Sequence, residues 1–392
     1  MATCCGNDAT AHKLVTTAPT VLLTLGRLPP AVDIARSFAK AGWRVLVAEP
    51  FRWHLARTSN AVTQSFVVPP PHESRQAYSE ALLDIIRRER VDLLLPISEE
   101  TMHVATLTAS LPSHCQWFGS DARLIHELHS KFGFTRLARS AGLAVPETLY
   151  ATAPETTALV DSGDTIVKPE YSCSGRHVQR FSKGASLPRL APKMLVQRAI
   201  DGDEFSAFAI ARNGEPLCIV VYRAVLRHGS VAVVFERIEQ TAVSDWLVTL
   251  IRSLQFTGFI AIDAIVDATG NAYAIECNPR ATSGVHFVAT QCLAGLIGGD
   301  EIEASWRPQR RLQEFWSTWT HLLSVLGQRE QRHDTWRAIR SARDVSWDRG
   351  DPWVFPLATF STWPIISRAI RQRATFAEVL ALDIEWPPAD EA

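Results

Sequence analysis

The sequence has no excess of charge of either sign: 40 lysines and arginines stand against 41 aspartates and glutamates. No bulk positive field exists to hold a nucleic-acid backbone or an anionic membrane, so neither partner is expected. Metal-finger spacing is also missing. The seven cysteines, Cys4, Cys5, Cys115, Cys173, Cys218, Cys277 and Cys292, form no C-x-x-C, and no histidine lies at zinc-finger distance from them; a reduced, cytoplasmic setting is the simplest expectation. No apolar run approaches a membrane span, and the opening MATCCGNDATAHKLVTTAP has no basic head followed by an apolar stretch, so residues 1–18 read as a flexible tail. Internal repeats and low-complexity tracts are absent. What is left is a globular composition over 392 residues, enough for two or three domains.

From Thr20, VLLTLG is an apolar run ending in glycine, PPAVDIARSFAKAG has helical spacing and WRVLVAEP is a second apolar run, which together make a β-α-β unit. SEALLDIIRRER and VDLLLPIS repeat the pattern, so the first hundred or so residues read as a doubly wound α/β domain with a parallel sheet. Gly26, Arg27, Glu99 and Glu100 fall just past strand ends, where such sheets place ligands. The stretch 121–145 reads as helices closed by Gly142 and Pro146. Strands then dominate to residue 278, with RNGE and ATGN as hairpin turns and SDWLVTLIRSL as an intervening helix. Beyond Gly299 eight tryptophans crowd a mostly helical region, where anchoring of helices against the main body is the simplest reading.

The stretch GFIAIDAIVDATGNAYAIECNPRATSG carries the most chemistry. As two strands joined by a turn at Ala268–Asn271, it places Glu276 and Asn278 on one face, with Asp263 able to share that face across the hairpin. Two carboxylates and an amide oxygen are hard ligands suited to magnesium held against nucleotide phosphates. Arg280 adds a planar fork for a phosphate or carboxylate oxygen.

At these residues the sequence resembles the ATP-grasp superfamily, whose members carry an acid on one strand and a Glu-x-Asn pair on the next. IECNPRATSG is similar to the second strand of its carbamoyl-phosphate-synthase-like, carboxylate-amine ligase branch. The resemblance implies an α/β N-terminal pre-ATP-grasp domain (19–120), an α+β ATP-grasp fold with antiparallel sheets (121–299, with a small lid at about 135–196), and a Trp-rich, mostly helical C-terminal extension (300–392). It further implies ATP and Mg²⁺ as cofactors, with Asp263, Glu276 and Asn278 as metal ligands. Lys131 and Lys168 take the places of the phosphate-contacting lysines. LVQRAIDGDEF is similar to the hinge, which implies adenine contacts at Gln197, Ala199 and Ile200 and a ribose contact at Glu204. YSCSGRHV stands where the family has a glycine-rich phosphate loop, leaving Ser172, Ser174 and Gly175 for that role, with Gly175 its single glycine.

The implied reaction is ATP-dependent activation of a small-molecule carboxylic acid as an acylphosphate, followed by attack of an amine. Arg280, Arg223, Ser283 and Glu99 are candidates for holding the acid, and His286 for the general base. Arg223 could equally pair with an acid on a neighbouring strand, and His286 could be a hydrogen-bonded core histidine. Dimers are common in the family, and the tryptophan-rich end is a candidate interface. The alternatives are a nucleotide-binding regulatory protein without turnover, or an acid kinase that releases the acylphosphate; an oxidoreductase is disfavoured because LGRLPP lacks G-x-G-x-x-G spacing, and carboxylation on a biotin carrier because no biotinylation motif is seen.

Overall fold

The computed structural model describes residues 18–172, 177–228, 231–325, 327, 329–372 and 376–386. The tail proposed over 1–17, and Cys173, Ser174 and Gly175 of the phosphate loop, lie outside the described residues.

The first unit is the expected parallel sheet. Strands β1 (Thr20–Leu23), β2 (Arg44–Glu49), β3 (Gln64–Val67), β4 (Leu93–Leu95) and β5 (Gln116–Trp117) lie in the order β3-β2-β1-β4-β5, all parallel. Helices α1 (Pro29–Lys40) and α2 (Arg75–Glu89) cross between strands. The side chains of TVLL and LLL are buried on both faces, which is why these strands read as unbroken apolar runs rather than as alternation. Short α3 (Thr101–Ala105) follows β4. Next come α4 (Ala122–His129), capped by Asp121, and α5 (Lys131–Ser140), capped by Ser130, whose hydroxyl accepts from the Gly133 amide.

A small antiparallel sheet follows, in the order β6-β9-β7-β8, built from β6 (Thr148–Tyr150), β7 (Thr165–Pro169), β8 (Gln179–Phe181) and β9 (Met194–Arg198), with α6 (Thr156–Ser162) against it. This sheet runs from Thr148 to Arg198, and α5 packs against the strand Ala272–Asn278 of the large sheet and against β6. The large sheet has the order β14-β13-β10-β11-β12-β15-β16. Its long members are β10 (Asp203–Arg212), β11 (Glu215–His228), β12 (Val231–Ile238), β13 (Gly258–Val266) and β14 (Ala272–Asn278). Asn213 and Gly214, at φ 49° and 78°, turn β10 into β11, a left-handed pair that asparagine and glycine tolerate best.

Helix α7 (Thr241–Leu254) covers one face of the large sheet through Val243, Leu247, Leu250 and Ile251. The other face meets the first unit through Phe118, Phe208 and Phe259, a 3₁₀ turn (Ser283–Phe287) and α8 (Thr290–Gly298). The C-terminal region is mostly helical, with α9 (Phe315–Ser324), α10 (Arg329–Ser341), α11 (Val354–Gln372) and α12 (Phe376–Leu382). It also supplies β15 (Arg311–Gln313) and β16 (Arg343–Asp344) to the large sheet, so the sheet continues past residue 300. The expectation that its tryptophans anchor the helices against the main body holds for Trp386, which packs on His103 and His126, and not for six others. Trp306, Trp319, Trp336, Trp347, Trp353 and Trp363 stand 36% or more exposed, while small aliphatics such as Val354, Ala358 and Ile365 take the buried positions. Among the described residues no helix is long and apolar enough to cross a membrane.

Candidate active site

The hairpin β13–β14 sets the site. Asp263 pairs in register with Glu276, and Ala261 with Asn278, so Asp263, Glu276 and Asn278 share one face of the large sheet. A register shift after Asp263 leaves Ile275 as an extra residue in β14, and its carbonyl accepts from Lys168 Nζ at 2.9 Å. Burial, and then the facing Glu276 carboxylate, push Asp263 up to about 6 even though the Ser206 hydroxyl donates to it at 2.6 Å. Two facing carboxylates are hard oxygen ligands that fit a divalent ion. Among the described residues no group of three histidine, cysteine or acidic side chains is arranged for a metal, and the Asn278 amide oxygen is a further hard oxygen on the same face. That oxygen accepts from Arg280 Nη2 at 3.0 Å.

Facing these acids are two buried lysines. Lys131, the first residue of α5, donates to the Ser172 carbonyl at 2.8 Å and hydroxyl at 3.2 Å, and lies 3.7 Å from Glu276. Lys168, on β7, donates to Gln197 Oε1 at 2.8 Å. Burial takes Lys168 down to about 8, opposed by Glu276 and Asp263 and reinforced by Lys131. Buried ammonium groups beside a carboxylate pair suit a polyanion bridged by a cation, which neither pair alone would explain.

The hinge residues are partly engaged already. Gln197 also donates to the Thr148 hydroxyl at 2.9 Å, and the Ala199 amide donates to the Asp164 carbonyl at 2.9 Å. Ile200 follows at the half-buried strand exit, and exposed Glu204 pairs with Arg227 at 2.7 Å. Arg280 donates to Glu99 at 2.7 Å, joining the end of β4 to the end of β14, and His129 lies 3.6 Å from the same carboxylate. Burial takes His129 down to about 4, while burial of Glu99 is overcome by Arg280 and His129, which hold it below its ordinary value.

Two sequence candidates fall elsewhere. Arg223 neighbours Tyr222, whose pairing with Ser206 puts it on the Asp263 face, so strand alternation turns Arg223 to the α7 face. There it pairs with Glu236 at 3.1 Å. His286 is fully buried, and its Nδ1 lies 2.6 Å from Asp33 Oδ2 with Arg307 2.7 Å from the same carboxylate's other oxygen, an arrangement that closes it to an incoming amine. Ser283 opens the 3₁₀ turn and is half-buried. Of the strand-end residues, Arg27 is committed to Glu49 and Asp383, and Glu100 accepts from the Ile97 and Ser98 amides. Sequence reading missed Ser206. Its signal was a lone hydroxyl inside the apolar strand EFSAFAIAR, one strand away from Asp263.

Residues 128–284 match the ATP-grasp domain family. The chain carries an ATP-grasp domain. That domain holds both lysines, both carboxylates, Asn278 and Arg280, while Glu99 reaches it from the first unit. Three solved structures share the fold of the ATP-grasp domain and its surroundings. The L-amino acid ligase from Bacillus licheniformis is 17% identical, with 76% of this chain and 79% of that one covered at a TM-score of 0.56. N5-carboxyaminoimidazole synthetase from Staphylococcus aureus gives 14%, 74% and 79%, also at 0.56. The biotin carboxylase domain of 2-oxoglutarate carboxylase from Hydrogenobacter thermophilus, solved with MgADP, ADP and bicarbonate, gives 12%, 72% and 70% at 0.58. No curated protein matches the sequence.

Proposed function

We propose that this protein is an ATP- and Mg²⁺-dependent ligase that activates a small-molecule carboxylic acid and couples it to an amine. The observation that carries the reading is the meeting of Lys131 and Lys168 with the in-register pair Asp263 and Glu276. In this reading Asp263, Glu276 and Asn278 hold the metal, whose chemistry is to neutralise phosphate charge. Lys131 and Lys168 bind phosphate oxygens, and Ser172, Ser174 and Gly175 line the same phosphates. Gln197, Ala199, Ile200 and Glu204 receive the nucleoside. Arg280, held flat by Glu99, orients the acid.

A carboxylate oxygen of the acid attacks the γ-phosphorus as the bond to the β-phosphate oxygen breaks, giving an acylphosphate and ADP. The amine nitrogen then attacks the acyl carbon, phosphate leaves, and the amine's proton passes to solvent. Such a transfer asks for positioning and charge neutralisation rather than a nucleophilic side chain, which agrees with the residues gathered here. Residues 19–120 would act as the pre-ATP-grasp domain, 121–299 as the catalytic domain and 300–392 as the extension that completes the large sheet. Two of the three neighbours, the L-amino acid ligase and N5-carboxyaminoimidazole synthetase, are named for joining a carboxyl group to nitrogen or for its product, which supports the amine that the family resemblance implies.

The test is ADP release with ATP and Mg²⁺ against a panel of carboxylic acids, bicarbonate included, each with and without amino acids. Release that needs both an acid and an amine, and falls at least about 100-fold in Glu276→Ala, is the expected result. Release on bicarbonate alone would replace the ligase by a carboxylating enzyme. Release unaffected by Glu276→Ala would remove the site.

A further inference from the structure

The carboxyl edge of the first parallel sheet, where open α/β sheets receive ligands, is occupied by the chain's own C-terminal segment. Asp383 takes a two-pronged bond from Arg27, 2.6 Å from Nη1 and 3.0 Å from Nη2. The His72 amide donates to the Asp383 carbonyl at 3.1 Å, and Ile384 is 1% exposed. The Glu385 carbonyl accepts from His103 Nε2 at 3.1 Å and His72 Nδ1 at 3.3 Å. Trp386 stacks on His126, ring centres 4.2 Å apart at 18°, and meets the His103 ring edge-on at 5.1 Å.

His103 and His126 belong to α3 and α4, the two short helices that deliver the charged groups of the site. Glu99, which holds Arg280, lies just before α3. His129 ends α4, and Ser130 and Lys131 follow it. The helices are joined by His126 Nε2, which donates to the Met102 carbonyl at 2.8 Å. A helix of five residues such as α3 has too few internal hydrogen bonds to hold its own position, so its placement is set by what packs on it. Trp386 touches both helices, through His103 and His126, and the Glu385 carbonyl touches α3 through His103.

We propose that Glu385 and Trp386 are positioning residues: docked on His103 and His126, the segment braces α3 and α4 and thereby fixes Glu99 against Arg280 and Lys131 against the phosphates. The functional half of this statement rests on the ligase reading. The mechanical half does not.

The test compares the full chain with Trp386→Ala, Trp386→Phe and a chain ending at Ile384, which keeps the Arg27–Asp383 pair. Amide hydrogen exchange, binding of a non-hydrolysable ATP analogue and ADP release are measured on each. Expected are about tenfold faster exchange confined to residues 97–106 and 122–135 in the Ala and shortened forms, weaker analogue binding, a lower kcat, and recovery in Trp386→Phe. Exchange unchanged in those two segments would overturn the brace, and so would acceleration spread evenly over the chain, which marks general destabilisation. Local loosening with no enzymatic loss would overturn the link to Glu99 and Lys131. Because exchange needs no turnover, failure of the ligase reading, seen with Glu276→Ala, is told apart from failure of the brace.

Discussion

At the scale of single residues, the site is governed by which oxygen is left over. Ser206 donates to Asp263 Oδ1, which orients the carboxylate and leaves Oδ2 as the oxygen that would serve the metal in the proposed site. Partners of this kind typically contribute 10- to 100-fold in metal affinity. Ser206→Ala is therefore expected to weaken direct Mn²⁺ binding about tenfold, read by titration in the presence of ADP, while Ser206→Thr keeps the hydroxyl and most of the affinity. The sequence showed Asp263, Glu276 and Asn278 because strand alternation and a short turn determine their shared face. It did not show where Arg223 points, since one residue of strand parity separates the two faces of the sheet and only the pairing of Ser206 with Tyr222 settles the side. His286 was opaque for a different reason: its partner, Asp33, lies 253 residues away on α1, and no local pattern announces such a pair.

At the scale of elements, the segment after β14 passes so close to the large sheet that Gly284 has no room for a side chain. A Cβ there would come within 2.3 Å of Phe208 Cβ and 3.0 Å of the Tyr222 ring. Gly284→Ala is expected to destabilise by about 1–3 kcal/mol, the usual cost of overpacking, read as a lower urea midpoint at unchanged slope. The β-α-β units and both hairpins were legible, because unbroken apolar runs and the turn pairs Asn-Gly and Gly-Asn are local signals. The edge strands β15 and β16 were not. They are three and two residues long and exist only because β12 offers a free edge to pair with. The exposed tryptophans were not legible either, since composition counts side chains but does not say which of them are turned to the core.

At the scale of the whole molecule, stability is tied to pH through histidines that fold in uncharged. Burial takes His103 from 6.5 down to about 4, with the bond to the Glu385 carbonyl opposing and the charges of His72, His126 and Arg75 reinforcing. Between those values the unfolded chain binds the extra proton, so this contribution is fully present above about pH 6.5 and is lost as pH falls toward 4, to a ceiling of about 3 kcal/mol. Chemical denaturation at a series of pH values should show that acid limb, and His103→Asn should flatten it even if the neutral-pH stability drops.

The clasp between Arg27 and Asp383 ties together residues 356 positions apart in the chain. During synthesis the first sheet emerges from the ribosome early, with a buried arginine facing one carboxylate, Glu49, and an open edge lined by His72 and His103. That edge stays open until residue 383 has been made. The ATP-grasp domain, although later in the sequence, can therefore be complete before the unit that precedes it, and a chain that stops short of Asp383 would leave its earliest-made part unfinished.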